Sequence, residues 1–174
     1  MDPLRKIEYL VGATVIEGRN FAGKDAQGTS DPFVKIHCAN SDTQISQRLY
    51  STNNAVWNQS FTFEKVLLNK FEFETMELIF EVFDYNALLP NELIGQHSVG
   101  LSTMYRHLNH EFYRKWVPLF NVEENSEIQG QLMISCFIIG PGEKPPAHRK
   151  DEIVNEDSED LDEVLGPDIS DARK

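Results

Sequence analysis

Apolar and polar side chains alternate along residues 76–83, MELIFEVF, which is the pattern of a β-strand. Similar segments, separated by turn-rich stretches, recur at 7–17, 32–38, 44–50, 59–66, 93–101, 111–119 and 130–139. This spacing predicts an all-β fold, an eight-stranded antiparallel β-sandwich. The sequence predicts only one helix, a short one at residues 103–109, for which Ser102 could serve as the N-cap.

The strand count also predicts which loops meet. If each connection reverses the chain direction, the loops after the first, third and fifth strands leave the sandwich at the same end. These loops are residues 18–31, 51–58 and 84–92. A missed strand between residues 38 and 76 would instead send them to opposite ends.

The C-terminal part differs in composition from the rest of the chain. It contains ten acidic residues between Asp151 and Asp171, paired prolines and no aromatic residue. Such a segment cannot bury enough apolar surface to offset its ordering entropy. We therefore predict a folded domain at residues 1–141 and a disordered acidic linker or tail at 142–174. A short aliphatic segment of the tail could still dock on a partner.

The charge excludes one class of partner. The chain carries a formal net charge of −12, and the first 142 residues are themselves acidic, with 17 acids and 11 bases. Nucleic-acid binding needs a basic surface that neutralises phosphates, so it is not expected. Direct adhesion to anionic lipid is not expected either, unless a bound cation reverses the local charge.

Cysteine content and hydropathy predict the compartment. Cys38 and Cys136 both lie in apolar strand-like segments, where a cysteine behaves as a small hydrophobic residue. Two cysteines are too few for a disulfide scaffold, which favours a reducing cytosolic setting. No apolar segment reaches the 18 or more residues typical of a transmembrane helix, and none near the N-terminus reads as a signal peptide.

Two groups of acidic residues lie in loops that the strand count brings together. Asp25 and Asp31 lie in GKDAQGTSDPF, and Asp84, Asn86 and Glu92 lie in FDYNALLPNELIG. Calcium in proteins is held by six to eight oxygens, mostly from carboxylates and carbonyls. The pattern indicates a calcium site, although each group alone could be a solvated polar turn.

Between these acids, Leu88 and Leu89 occupy the tip of a loop. Exposed leucines beside an ion site could insert shallowly into a bilayer, or they could fold back onto the edge of the sandwich. His107 and His110 have the H-x-x-H spacing of a zinc site, but a polar surface loop is the better interpretation. The sequence contains neither a nucleophile motif nor a glycine-rich phosphate loop, so no enzyme is expected.

Three segments together resemble the C2 domain, a calcium- and lipid-binding β-sandwich. They are GTSDPFVKI, NAVWNQSFTF and LIFEVFDYN with the following ELIG. The resemblance implies metal ligands at Asp25, Asp31, Asp84, Asn86 and Glu92. Asn86 and Glu92 depart from the usual set of aspartates, so one calcium ion is expected rather than two. The segment TQISQRLYST offers only Arg48, so the lysine-rich patch of many C2 domains is missing.

The strand order resembles the circularly permuted type II topology, because KIEYLVGATVIEG opens the chain and IQGQLMISCFIIG closes the domain. With MYRHLNHEFYRKWVPLF, these segments resemble the second C2 domain of a ferlin. The resemblance implies a fragment of a large protein that binds anionic phospholipid on the cytosolic face of membranes in vesicle fusion or membrane repair. Its transmembrane anchor would lie outside this chain, and neighbouring domains could be partners. The alternative is a calcium-independent scaffold for protein–protein contacts.

Overall fold

A computed structural model describes residues 2–22, 28–123 and 127–148. Its strands are β1 (Ile7–Arg19), β2 (Pro32–Cys38), β3 (Gln44–Ile45), β4 (Ala55–Leu68), β5 (Glu77–Asp84), β6 (Glu92–Gly100), β7 (Glu111–Phe120) and β8 (Ile128–Ile139). Two helices, α1 (Lys70–Thr75) and α2 (Leu101–Arg106), and a 3₁₀ turn at Leu108–His110 complete the described elements. All the predicted strands are present, so the β-rich fold is confirmed.

The strands follow the order β3-β2-β5-β6-β7-β8-β1-β4, and every neighbouring pair is antiparallel. One residue pair, Gln96 with Phe120, joins β6 to β7 and marks the corner between the two layers of the sandwich. At the opposite seam Gln44 Nε2 donates a 2.7 Å hydrogen bond to the Thr62 carbonyl, which links β3 to β4. The sandwich is therefore nearly closed.

The first and last strands are neighbours in the sheet. β1 lies between β4 and β8, with Ala13 opposite both Phe61 and Cys136. This order confirms the type II topology. Strand β3 is shorter than the predicted 44–50, because after Ile45 the Ser46 hydroxyl, rather than a backbone carbonyl, accepts the Val34 N–H at 2.8 Å.

The predicted alternation in β5 is confirmed by burial. Leu78, Phe80 and Val82 are fully buried, whereas the residues between them are only half-buried. The inner faces of β1, β2, β4 and β8 join them in a single hydrophobic core. Both cysteines belong to this core as free thiols, and burial raises the pKa of Cys38 and Cys136 to about 12.

The helix prediction is wrong in its limits. Helix α2 begins at Leu101, its N-cap is Gly100, and Ser102 is buried inside the helix instead of capping it. Helix α2 ends at Arg106 because His107 is extended, and the last predicted positions belong to the separate 3₁₀ turn, in which Asn109 has a positive φ of 58°.

Helix α1 is missed by the sequence analysis. Asn69 caps it: Asn69 Oδ1 accepts the Glu72 N–H at 2.8 Å, and a Glu72 carboxylate oxygen accepts the Asn69 N–H at 3.0 Å. This capping box is visible in the sequence as N-x-x-E. The helix has no buried residue and so lacks the apolar periodicity that would reveal it.

The chain after β8 packs on the sandwich up to the end of the described residues. Glu143 contacts His110 at 2.8 Å, and His148 Nε2 lies 2.8 and 2.9 Å from the two carboxylate oxygens of Glu111. The domain boundary at residue 141 stays a prediction. Glu143 and His148, which make these contacts, lie after it. The tail at 149–174 is outside the described residues. No helix in the described part of the chain combines the length and apolar character that crossing a bilayer requires.

Candidate functional site

Three loops meet at one end of the sandwich, which we call the loop pole: loop 1 (residues 20–31), loop 2 (46–54) and loop 3 (85–91). The Thr52 N–H donates to the Ser30 carbonyl at 2.8 Å, and Asn53 Nδ2 donates to the Gly28 carbonyl at 2.6 Å. The Tyr85 N–H donates to the Asp31 carbonyl at 3.0 Å. These bonds connect loop 2 and loop 3 to loop 1, so the predicted convergence is confirmed.

Asp31 and Asp84 are in direct contact at this pole. The Asp31 N–H donates to Asp84 Oδ1 at 2.8 Å, and the Ser51 N–H donates to Asp31 Oδ1 at 2.7 Å. A carboxylate offers about four lone-pair positions. The Asp31 carboxylate uses one of them to accept the Ser51 N–H and can still bind a cation. The Asp84 side chain at the end of β5 and the Ser51 backbone in loop 2 thus fix the position of Asp31.

The strand pattern explains the position of Asp84. It continues the alternation of Leu78, Phe80 and Val82, so its side chain follows the core-facing side of β5 and is only 9% exposed. A buried carboxylate needs hydrogen-bond donors or a cation to offset its lost hydration. The Asp31 N–H supplies one donor.

Of the other two predicted carboxylates, the structure describes only Glu92. Glu92 is opposite Asp84 in the β5–β6 pairing, but its side chain is exposed. Asp25 lies outside the described residues. Within the ranges that the structure describes, no three His, Cys, Asp or Glu residues are grouped as a metal site. Asp31 and Asp84 are therefore the two predicted ligands that the structure brings together.

Asn86 has a local role inside loop 3. Its Oδ1 atom accepts the N–H groups of Leu88 at 3.0 Å and Leu89 at 3.1 Å. Its own N–H donates to Asn91 Oδ1 at 2.8 Å. The side chains of Asn86 and Asn91 thus bind the backbone of the loop from both ends.

The leucines at the tip of loop 3 project into solvent. Leu88 is 93% exposed and Leu89 is 65% exposed. The alternative that they fold back onto the edge of the sandwich is wrong.

A basic and aromatic group beside loop 3 is missed by the sequence analysis. The Arg48 guanidinium carbon lies 3.7 Å from the Tyr85 ring centroid and 4.9 Å from that of Tyr50, and Arg48 Nη2 donates to the Tyr50 hydroxyl at 2.9 Å. Hydrogen bonds with the hydroxyls of Tyr50 and Tyr85 raise the pKa of Arg48. The spacing of Arg48 and Tyr50 by two residues was the available signal, but the contact with Tyr85 depends on the fold.

The two histidines of the H-x-x-H segment have different partners. His107 stacks on Phe112 with centroids 4.2 Å apart, and His110 stacks on Tyr105 at 4.0 Å. His110 Nε2 contacts Glu143, whereas His107 Nδ1 contacts the Glu111 carbonyl oxygen at 2.6 Å. These contacts favour the interpretation as a polar surface segment over a shared zinc ion.

The fold and the loop pole define a known class of module. Residues 10–119 match the family described as C2 domain. This chain belongs to that family.

Among full-length proteins, the chain is similar to ferlins. It is 43% identical over 159 residues to Ferlin 2 of Tetrahymena thermophila, covering 91% of this chain and 9% of that protein. It is 31% identical over 157 residues to Ferlin 2 of Toxoplasma gondii, covering 90% of this chain and 11% of that protein. Human myoferlin is 27% identical over 161 residues, covering 91% of this chain and 7% of that protein. The chain thus spans 7 to 11% of the length of these relatives.

Solved C2 structures share the fold at low identity. A single C2 domain of plant extended synaptotagmin 1 matches with a TM-score of 0.61 and 22% identity, covering 83% of this chain and 99% of that chain. A calcium-bound structure of two C2 domains of extended synaptotagmin 2 matches with a TM-score of 0.61 and 21% identity, covering 80% of this chain and 45% of that chain.

Proposed function

We propose that this chain is a calcium-dependent phospholipid-binding C2 module of a ferlin-like membrane-trafficking protein. The observation that carries the proposal is the contact between Asp31 and Asp84 at the pole where Leu88 and Leu89 project. Oxygen ligands and exposed apolar side chains lie at one end of the sandwich. A membrane surface approached from that side would meet both.

The carboxylates of Asp25, Asp31, Asp84 and Glu92 are the proposed ligands. Two observations support Asp31 and Asp84: they are fixed by backbone N–H groups before any ion binds, and oxygen donors suit a hard cation. When bound, one calcium ion would lower the charge of these four carboxylates from −4 to −2 and accept lipid phosphate oxygens as further ligands. Because Asn86 carries no charge and Glu92 is exposed, one ion is proposed rather than two.

Arg48 supports an anionic phospholipid as the partner. Tyr50 and Tyr85 hold its guanidinium next to loop 3, where a phosphate could accept two parallel N–H bonds. Tyrosine rings are enriched at membrane interfaces. Burying each leucine of the tip in lipid would add about 1.5–3 kcal/mol.

The proposed location is the cytosolic face of a membrane or vesicle, in vesicle fusion or membrane repair. The chain spans about a tenth or less of each ferlin relative, so other domains and an anchoring helix would lie outside it. Neighbouring domains of the same protein are proposed as further partners. The whole protein's activity is proposed from similarity alone, and no catalytic role is proposed for this chain.

A calcium-independent scaffold is the second candidate. It is supported by the backbone bonds between the loops, which hold loops 1, 2 and 3 together without an ion. In that case Asp31 and Asp84 would stabilise the loop pole, and vesicle binding would not depend on calcium.

Sedimentation with vesicles separates the two candidates. The chain would be mixed with vesicles of phosphatidylserine and phosphatidylcholine, with calcium or with a chelator. We expect the chain to sediment with calcium only, and Asp84→Asn to prevent this. Asp42→Asn, which alters an exposed aspartate in the turn at the opposite end of β2, is the matched control. Equal sedimentation with calcium and with chelator, or none in either, would overturn the calcium-dependent function.

A further inference from the structure

The resemblance to C2 domains places a metal ligand at Asn86, but the hydrogen bonds of this residue assign it another role. Both atoms that donate to its side chain are backbone N–H groups, those of Leu88 and Leu89. The atom that accepts them must therefore be the amide oxygen, because the amide nitrogen is a donor only.

The number of lone pairs on that oxygen is decisive. An amide oxygen has two lone pairs, and in Asn86 each accepts one N–H, at 3.0 and 3.1 Å. A cation could bind Asn86 only if the hydrogen bonds to Leu88 and Leu89 were weakened or broken. An aspartate at this position could accept the same N–H groups and still offer a second oxygen.

The bonds of Asn86 also fix the shape of the loop tip. Residues 86, 88 and 89 form a closed turn, and Asn91 Oδ1 anchors its beginning by accepting the Asn86 N–H at 2.8 Å. In this turn Leu88 is held at 93% exposure. A tip that is ordered before it meets a membrane loses less conformational entropy on binding.

We propose that Asn86 is a positioning residue that presents Leu88 and Leu89 to a membrane, and that it is not a calcium ligand. This inference rests on the proposed function, which supplies the membrane as the partner. In this chain loop 3 thus separates two tasks: Asp84, at its base, faces the ion site, and Asn86 with Asn91 shapes the tip.

Amide hydrogen exchange on the whole chain, without calcium or lipid, directly tests the hydrogen bonds that Asn86 accepts from Leu88 and Leu89. We expect Asn86→Ala to speed the exchange of the Leu88 and Leu89 amides by about three- to tenfold, the effect of losing one ordinary hydrogen bond each. Asn91→Ala should act in the same direction, and Asn86→Asp should leave the exchange close to wild type. The Asp31 amide should not change. Asn40→Ala, at an exposed asparagine at the other end of the sandwich, is the matched control.

Calcium affinity and vesicle binding complete the test. We expect Asn86→Ala to keep the wild-type calcium affinity and to weaken sedimentation with vesicles, whereas Asn86→Asp should keep vesicle binding and raise calcium affinity. If Asn86→Ala lowers calcium affinity as much as Asp84→Asn does, Asn86 is a ligand and the inference is wrong. Unchanged exchange at Leu88 and Leu89 would also overturn it. If the wild-type chain binds neither calcium nor vesicles, the proposed function fails. The exchange result alone then decides whether Asn86 fixes the conformation of the loop tip.

Discussion

The Oδ1 atom of Asp84 accepts a 2.8 Å hydrogen bond from the backbone N–H of Asp31, which lies 53 residues earlier in the chain. The Tyr85 N–H donates a hydrogen bond of 3.0 Å to the Asp31 carbonyl. Asp31 is therefore joined to the Asp84 side chain and to the backbone of the next residue, Tyr85. This double connection gives the loop pole a structural role in addition to its proposed binding role.

Removing the Asp84 side chain should destabilise the fold. Asp84→Ala leaves the Asp31 N–H without its charged acceptor at a partly buried position, which should lower the free energy of unfolding by about 1–3 kcal/mol. Urea denaturation in the presence of chelator measures this. Asp42→Ala should have little effect, because Asp42 is exposed. Equal midpoints for wild type and Asp84→Ala would contradict a structural role for this bond.

Truncating the Leu88 side chain at the loop tip should weaken lipid binding without changing stability. Leu88→Ala removes a side chain that is 93% exposed, so the melting temperature should not change. Its vesicle affinity should fall by roughly tenfold, since each leucine contributes about 1.5–3 kcal/mol when buried. Leu108, which is 77% exposed on the 3₁₀ turn at the other end of the sandwich, provides the control. Equal losses for Leu88→Ala and Leu108→Ala would show that the effect is not specific to the loop pole.

The sheet could be predicted from the sequence because its signal is local. Alternation at Leu78, Phe80 and Val82 identified β5, and counting strands from it placed Asp31 and Asp84 at the same end. The same alternation, continued by two residues, also gives the inward position of Asp84. Helix α1 has only six residues and packs on the core through the partly buried Phe73, so its apolar pattern is too short to reveal it.

The details of the loops could not be predicted in this way. The contact of Arg48 with Tyr85 joins loop 2 to loop 3 and depends on how the sandwich closes. The role of Asn86 depends on the backbone conformation at Leu88 and Leu89, and the resemblance to C2 domains suggested a different role. Family motifs give the residue type expected at a position. They do not give the hydrogen-bond partners of a residue that differs from the family pattern.

Arg48 should strengthen binding to anionic lipid. Arg48→Gln should weaken binding to vesicles that contain phosphatidylserine by about fivefold, the effect of roughly 1 kcal/mol per basic residue near an anionic surface. Calcium affinity should not change. Arg106→Gln removes an exposed arginine paired with Glu74 on helix α1, at the other end of the sandwich, and serves as control. If Arg48→Gln binds phosphatidylserine vesicles as well as wild type does, Arg48 is not a phosphate contact.

The segment after β8 should loosen at low pH. Partial desolvation would raise the pKa of Glu143, but hydrogen bonds from the Gly140 N–H and the Tyr105 hydroxyl, with the adjacent His110, outweigh it and lower the pKa below the ordinary 4.5. Because the pKa is lower in the folded state, the stabilisation is present above pH 4.5 and is lost as the pH falls through the folded value.

Exchange of the Gly140 amide as a function of pH measures this loss. Corrected for intrinsic exchange, its protection should fall below pH 4.5, and Glu143→Gln should reduce it already at pH 7. Glu64→Gln, at an exposed position of β4, should behave like wild type. Protection that is independent of pH in the wild-type chain would contradict this account of Glu143.

The central claim is that Asp31 and Asp84 bind calcium at the loop pole, and calorimetric titration of the whole chain with calcium tests it most directly. We expect saturable binding of one ion to the wild-type chain and to Asp42→Asn. Asp31→Asn and Asp84→Asn should each abolish the heat of binding. Absence of binding to the wild-type chain, or binding that survives both substitutions, would contradict the account.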